Sequence, residues 1–320
     1  MPVRKNSVHS IDRKYHRLKR QSRWDRMREK MPFLILFGIC VLAASIVLWI
    51  LTQPKQQAPD SETLCIYVLD IGQGDAVLLQ TQDHAVLVDG GDAEQGYRLL
   101  HMLKSLHVRS LDAVINSHPH ADHVGGLTPV LDEIPVQALY FPDIPDALIP
   151  TTGSYIHVLE TAQKHHIPVR IPQCHDTVSF GCAEIEFLCV GNEQFEDLNN
   201  CSLGCRITCG DVSMFLAGDL EKDGESAFLE AGFLQPATIL KVSHHGSNSS
   251  SGEAFLSAVQ PEFAAISCGA LNDYGHPAQK CLERLVAAGC TVYRTDLDET
   301  ILFTTDGSTI RPEPHISFGF

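Results

Sequence analysis

The chain has 320 residues, 44% of them hydrophobic and 20% charged, with a formal net charge of −15. That composition is of globular type and excludes a disordered or collagen-like chain, and the length allows one large domain or two small ones. The charge is unevenly placed: residues 1–30 hold 11 Lys and Arg against 3 Asp and Glu, leaving 13 basic and 36 acidic residues for the rest. A body of net −23 argues against tight, sequence-independent binding of duplex nucleic acid, which needs a basic stripe.

In chain order, the basic head (residues 1–30) is followed by 21 uncharged residues from Met31 to Leu51, MPFLILFGICVLAASIVLWIL. About 20 apolar residues at 1.5 Å each cross a hydrocarbon core of roughly 30 Å, so residues 31–52 are expected to form one transmembrane helix. A cleaved signal peptide is the rival. It normally has a shorter apolar region and a shorter basic head, and no small-x-small site precedes Gln57. Arg4, Lys5, Arg13, Lys14, Arg17, Lys19, Arg20, Arg23, Arg26, Arg28 and Lys30 precede the span, and Lys55 follows it. The positive-inside rule then places the N-terminus in the cytoplasm and the remainder outside. The arm is read as a topology signal in contact with anionic lipid.

Residues 53–63 (QPKQQAPDSET) read as a linker, and 64–320 as one domain. Strand-like runs occupy 65–69, 76–80, 85–88, 112–115, 138–141, 184–190, 203–208, 213–217, 238–242 and 263–267. Helical stretches occupy 95–106, 155–165, 222–231, 253–259 and 279–288. Hairpin turns mixed with strand–helix crossovers predict an α/β (α+β) fold of mixed sheets with helices on their outer faces. Ten of the eleven cysteines follow Cys40, without a CxxC pair. Cys189, Cys205, Cys209 and Cys268 lie in apolar runs, where thiols behave as small hydrophobes. Free thiols are expected, with Cys201, Cys205 and Cys209 on one face of a strand.

The chemistry concentrates at His118-Pro119-His120-Ala121-Asp122-His123, after an apolar strand and before Gly125-Gly126. Four potential ligands in six residues suit zinc, manganese or iron. Two other strand ends carry ligand types: Phe215-Leu216-Ala217-Gly218-Asp219, and Lys241-Val242-Ser243-His244-His245-Gly246-Ser247.

His118 to His123 matches the HxHxDH signature, and the chain resembles the metallo-β-lactamase superfamily. The resemblance implies a four-layer αββα sandwich holding two divalent metal ions, zinc or manganese. His118 and His120 would bind one ion, Asp122 and His123 the other, and Asp219 both. His244 would be the last ligand, with His245 as its rival. Asp89, in Leu87-Val88-Asp89-Gly90-Gly91, would brace the site. The chain departs from the family where a third histidine is usual: Asn199-Asn200-Cys201-Ser202-Leu203 stands there. Within the superfamily it resembles the soluble domain of ComEC-type DNA-uptake proteins. The likeness rests on Asp70-Ile71-Gly72-Gln73-Gly74-Asp75-Ala76, Asn200 with Ser202-Leu203, Ser243-His244-His245-Gly246-Ser247 and Asn272-Asp273-Tyr274-Gly275-His276-Pro277. By that resemblance Gln73 and Asp75 line the pocket. The many-helix channel of those proteins is missing, so transport is not implied.

The expected function is a membrane-anchored, metal-dependent phosphodiesterase or nuclease acting outside the membrane on DNA or short nucleic acid. The acidic body favours short or single-stranded substrates. Asp122 would orient the attacking hydroxide. His276 would protonate the leaving group or contact phosphate, or cap the helix that follows Pro277. Hydrolysis of a small ester, thioester or lactone is the alternative, and a tethered binding module without turnover the reading from another class.

Overall fold

The computed structural model describes Ile39, Val41, Leu42, Ser45 and residues 63–319. The chain divides into two units, Met1–Gln56 and Gln57–Phe320. The four described residues of the first are helical, and Ser45 Oγ donates to the Val41 carbonyl at 2.8 Å. Apart from these four, the expected span at 31–52 lies outside the described residues, as do the basic head and nearly all of the linker. Among the described residues no helix is long and apolar enough to cross a membrane.

In the second unit, strands β1 (Leu64–Val68), β2 (Val77–Gln80) and β3 (Ala85–Val88) form an antiparallel meander. Helix α1 (Gly96–Ser105) returns the chain to β4 (Ala113–Ile115), which pairs parallel to β3. Helices α2 (Ala121–Val124) and α3 (Leu127–Glu133) lead to β5 (Leu139–Tyr140), and α4 (Gly153–Lys164) to β6 (Val169–Arg170). The second half repeats the plan. Antiparallel β7 (Thr177–Phe180), β8 (Ala183–Leu188), β9 (Gly204–Cys209) and β10 (Val212–Leu216) come first. Then α5 (Lys222–Glu230), β11 (Ile239–Lys241), α6 (Glu253–Val259), β12 (Phe263–Ile266), α7 (Gln279–Ala287) and β13 (Thr291–Arg294) make parallel crossovers. A short α8 (Thr295–Asp298) precedes β14 (Thr300–Thr305) and β15 (Ile310–Ile316), which rejoin the first sheet beside β1. The sheets run β15-β14-β1-β2-β3-β4-β5-β6 and β13-β12-β11-β10-β9-β8-β7.

Side-chain alternation builds the layers. Leu78, Leu87 and Val114 pack against Leu99, Leu103, Val130 and Val158 of α1, α3 and α4. Their neighbours Leu79, Val86, Val88 and Ile115 face Ile185, Phe187, Ile207 and Met214 of the other sheet. Beyond that sheet, Phe215, Leu240 and Ile266 meet Phe228, Phe255 and Leu285 of α5, α6 and α7. Helix, sheet, sheet, helix is the expected sandwich. With both faces covered, the central strands are nearly continuous apolar runs, because each pleat direction meets another layer. Edge strand β15 carries Pro312 and Pro314, residues a central strand would reject for want of an N–H.

Among the described residues Cys174, Cys182, Cys189, Cys201, Cys205, Cys209, Cys268, Cys281 and Cys290 are free thiols, and the Sγ atoms of Cys182 and Cys209 lie 3.1 Å apart. Cys205 and Cys209 enter the core from β9, whereas Cys201 lies in the preceding turn, its Sγ 3.3 Å from the Asp197 carbonyl. The expected three-cysteine face is therefore a pair, because the strand begins at Gly204.

Candidate metal centre

The loops that leave the C-terminal ends of β3, β4, β10, β11 and β12 supply the groups of the site. Such strand ends are where open α/β sheets place ligands. After β3, Asp89 takes a left-handed φ of 58°. This turns its buried carboxylate toward β4, where it accepts from Asn116 Nδ2 (2.9 Å), Ser117 N (2.7 Å) and Ser117 Oγ (2.6 Å). Its Oδ2 also lies 3.0 Å from His123 Nδ1. Asp89 thus orients the histidine loop through groups on both sides of it.

After β4 the chain turns through Ser117, and His118 is fully buried. His118 Nε2 stands 3.0 Å from His120 Nδ1 and 3.9 Å from Asp219 Oδ2. His120 is extended and ends the loop at the first residue of α2, which carries Asp122 and His123. His123 Nε2 faces Asp219 Oδ1 at 3.2 Å. Asp219 follows β10, and its N–H donates to Ser202 Oγ at 3.2 Å.

After β11, His244 and His245 are both left-handed, with φ of 51° and 52°. Two such residues in a row store backbone strain of a kind found at functional sites. Gly246 (φ 80°) completes the turn, and a Cβ there would meet Pro277 Cβ at 2.6 Å. His245 is buried, with Nε2 at 3.2 Å from Asp122 Oδ2 and 3.7 Å from Asp219 Oδ2. Its Nδ1 lies 3.0 Å from the Ser267 carbonyl and 3.2 Å from Asp75 Oδ1. Asp75 in turn accepts from Lys241 Nζ at 2.7 Å, a wholly buried ion pair. The Gly74 that precedes it (φ 127°) lets the chain run against α2, where a Cβ would sit 2.4 Å from the Asp122 carbonyl.

One ligand atom each from Asp122, His123, Asp219 and His245 lies within 4.8 Å of the other three. Two atoms that each bind one ion at about 2.1 Å in tetrahedral disposition stand roughly 3.4 Å apart, so the set is of the right size. Two of its atoms, His123 Nε2 and Asp219 Oδ1, are buried and make no hydrogen bond, although they face each other. A common cation between them would satisfy both. Charge points the same way: Asp75, Asp89, Asp122 and Asp219 crowd the centre, with Lys241 as the lysine among them. Burial drives the His123 and His245 pKa values down. The Asp219 carboxylate, with Asp89 at His123 and Asp75 at His245, outweighs it, raising His123 well above the ordinary range and His245 to about 10. Burial likewise favours neutral Asp122 and Asp219. For Asp122 the hydrogen bond from His245 prevails, and for Asp219 the charges on His123 and His245, so both lie below the usual carboxylate range. The same carboxylates that raise these imidazoles would stabilise a bound cation. The residues present fit divalent metal.

Of the residues expected here, His118, His120, Asp122, His123 and Asp219 converge. At the fourth position of the cluster stands His245, not the expected His244. His244 lies to one side, with Nε2 3.8 Å from Asp219 Oδ2 and Nδ1 2.9 Å from Glu221 Oε1. The consecutive left-handed residues explain the exchange: they turn the second imidazole inward and leave the first partly exposed. In the stretch without the third histidine, Asn200 Oδ1 accepts from Glu221 N (3.1 Å) and Gly224 N (2.8 Å), so it braces the start of α5. His276, joined to Pro277 by a cis peptide, stacks on His245 at 6.4 Å and 28°, and meets His244 edge-on at 5.5 Å. Burial, reinforced by His244 and His245, lowers its pKa. Gln73 Oε1 accepts from Gly269 N at 3.2 Å. Asp75 does not line the pocket but lies buried beneath His245. Lys241 went unrecognised in the sequence, although a lysine inside the apolar run Ile239-Leu240-Lys241-Val242 signals a buried partner.

The chain belongs to the metallo-beta-lactamase superfamily, whose family model matches residues 69–270. Its similarity to competence proteins is more particular. It is 31% identical over 254 residues to ComE operon protein 3 of Bacillus subtilis (strain 168), covering 74% of this chain and 32% of that protein. It is 31% identical over 252 residues to Competence protein ComA of Neisseria gonorrhoeae, covering 78% of this chain and 33% of that protein. The chain thus spans about a third of the length of these relatives. Among solved structures, CmlA, a diiron β-hydroxylase from Streptomyces venezuelae, superposes with a TM-score of 0.53 at 16% identity, covering 78% of this chain and 54% of that one. That likeness concerns the fold alone.

Proposed function

We propose that this chain is a membrane-anchored, metal-dependent phosphodiesterase that cleaves DNA or other short nucleic acid outside the membrane. The observation that carries the reading is the convergence of Asp122, His123, Asp219 and His245 within 4.8 Å, with His118 and His120 beside them. Kinship with competence proteins supports nucleic acid as substrate. The residues that would hold two divalent ions, zinc or manganese, are Asp122, His123 and His245 on one side and His118 and His120 on the other, with Asp219 shared. His244, whose Nε2 is 3.8 Å from Asp219 Oδ2, would complete the His118 side in place of the histidine missing near Asn200. Bound there, such ions supply a hydroxide nucleophile at neutral pH and polarise the phosphoryl oxygen.

The chain's own groups do the rest. Asp122 is partly exposed at the edge of the cluster, where its carboxylate would orient the attacking hydroxide. His276, half-buried over His245, contacts the phosphate or donates to the leaving oxygen. Asp89 and Asp75 fix the His123 and His245 rings, and Ser117 holds His118 through Nδ1 at 3.2 Å. The uncharged stretch at 31–51 and the basic head are read as a single-pass anchor with the catalytic unit outside.

The test is hydrolysis by the purified full chain, with zinc or manganese added, of bis-p-nitrophenyl phosphate and single-stranded DNA against a lactone and a thioester. Turnover of the phosphodiesters is expected. Turnover of the carbon esters alone would overturn the reading in favour of a small-ester hydrolase, and metal uptake without any turnover would favour a binding module.

A further inference from the structure

We propose that Tyr274 is a stacking platform for an unpaired nucleobase beside the scissile phosphodiester, which makes single-stranded nucleic acid the substrate class; the proposal rests on the phosphodiesterase reading above. Tyr274 lies on the loop that runs from the end of β12 to Pro277. Asn272 holds that loop from within: its Nδ2 donates to the carbonyls of Gly269 (2.9 Å) and His276 (2.6 Å). Its Oδ1 accepts from the N–H groups of Tyr274 (3.2 Å) and His276 (3.0 Å). The backbone beneath Tyr274 is therefore fixed by bonds that do not involve the phenol ring.

Tyr274 is 70% exposed, and Leu271 on the same loop is fully exposed. The ring centroids of Tyr274 and His276 lie 5.8 Å apart with their planes inclined by 22°, and those of His276 and His245 lie 6.4 Å apart at 28°. Three rings, each tilted by less than 30° from the next, thus lead from solvent to the metal-ligand cluster. With most of Tyr274 exposed, a flat aromatic group can be placed on its ring and continue the series outward from the cluster.

Charge makes this the contact the domain needs. Residues beyond position 30 carry 13 basic and 36 acidic side chains, so phosphate neutralisation supplies little affinity. Stacking of a base on an aromatic ring needs no positive charge and tolerates any sequence, because every base has a π-face. A base inside a duplex already has both faces covered and must first be unstacked. The platform therefore selects single strands.

The experiment measures binding of a short fluorescein-labelled oligothymidine, and of an abasic strand of equal length, to the full chain with manganese present. Wild type, Tyr274→Ala, Tyr274→Phe and Tyr274→Trp are compared, with hydrolysis of both strands followed in parallel. Tyr274→Ala is expected to weaken binding of the base-bearing strand by about 5- to 150-fold, and to leave the abasic strand unaffected. Phe and Trp are expected to keep the affinity. Equal binding of the base-bearing strand by wild type and Tyr274→Ala overturns the proposal, as does an equal loss on both strands. Hydrolysis indifferent to Tyr274 removes the platform and leaves the phosphodiesterase standing. Tyr274-dependent binding without hydrolysis retains the platform and removes the phosphodiesterase.

Discussion

Replacing Lys241 with methionine isolates the buried cation beneath the metal-ligand cluster. Lys241 is 2% exposed, and its Nζ donates to Asp75 Oδ2 at 2.7 Å and to the Val242 carbonyl at 3.1 Å. Burial pushes the Asp75 carboxyl up, but Lys241 first and His245 second pull it down to about 2. Lys241→Met leaves that carboxylate in the interior with one imidazole for company. Breaking a buried pair by removing one partner costs about 3–5 kcal/mol, which for a domain of this size lowers Tm by roughly 6–20 °C. Replacing both partners with uncharged groups of similar volume is often nearly neutral. Asp75→Asn combined with Lys241→Met is therefore expected to regain most of the stability. It is also expected to weaken metal binding by about 10- to 100-fold, because His245 loses the carboxylate that orients it. Urea and thermal unfolding are measured with chelator present, so that metal binding to the native state does not enter the stability. A single variant within about 1 kcal/mol of wild type, or a double variant no more stable than the single, refutes the reasoning.

Glu225 supplies a pH-dependent term away from the metal centre. Its carboxylate accepts from the N–H groups of Ser251 and Gly252 at the start of α6. Burial nevertheless raises its pKa from 4.5 to about 7, against the pull of those donors and of Arg284. A raised carboxyl favours the folded state fully below the unfolded pKa and loses that contribution as pH climbs. Stability is thus expected to fall by around 3 kcal/mol between about pH 4.5 and 7 from this group, and the difference curve against Glu225→Gln reads it; identical pH dependence in the two proteins contradicts the assignment. His245→Ala is expected to remove the metal held by Asp122, His123 and Asp219, whereas His244→Ala weakens the ion beside His118, as metal titration of each variant would show. Equal metal loss in the two variants would contradict the different places given to the two rings. Full-length chain is expected to stay with membranes through alkaline carbonate extraction and to lose its catalytic unit to protease added outside; release by carbonate alone counts against the anchor.

Much of the fold was legible because each layer leaves its own period in the sequence. The runs around Leu78, Leu87, Val114, Leu240 and Ile266 are apolar at successive positions because both faces of their strands are covered. Helices α1, α5, α6 and α7 show one apolar stripe each. Strand β14 was unread although nearly all of Thr300–Thr305 is buried, because threonines at three of its six positions dilute the apolar run; the other unread strands are those whose environment breaks the pattern. Strand β15 carries two prolines at an edge, β6 is exposed, and β7 is half exposed, so none has a full face to bury. Ligand types at the strand ends were legible for the same reason: His118, Asp219 and His245 all follow apolar runs directly. The choice between His244 and His245 was not, since it depends on two left-handed residues that shift the side-chain direction by one position. Tyr274 carries no signal of its own in the sequence, because exposure and the tilt of its ring relative to His276 have no counterpart in spacing.

The central claim is that side chains more than a hundred positions apart cage divalent cations. Inductively coupled plasma mass spectrometry on the purified full chain, dialysed after loading with zinc or manganese, tests it most directly. About two ions per chain are expected for wild type, with marked loss in Asp219→Ala at unchanged secondary structure. A folded wild-type chain that retains no metal, or an Asp219→Ala variant that retains as much as wild type, contradicts the account.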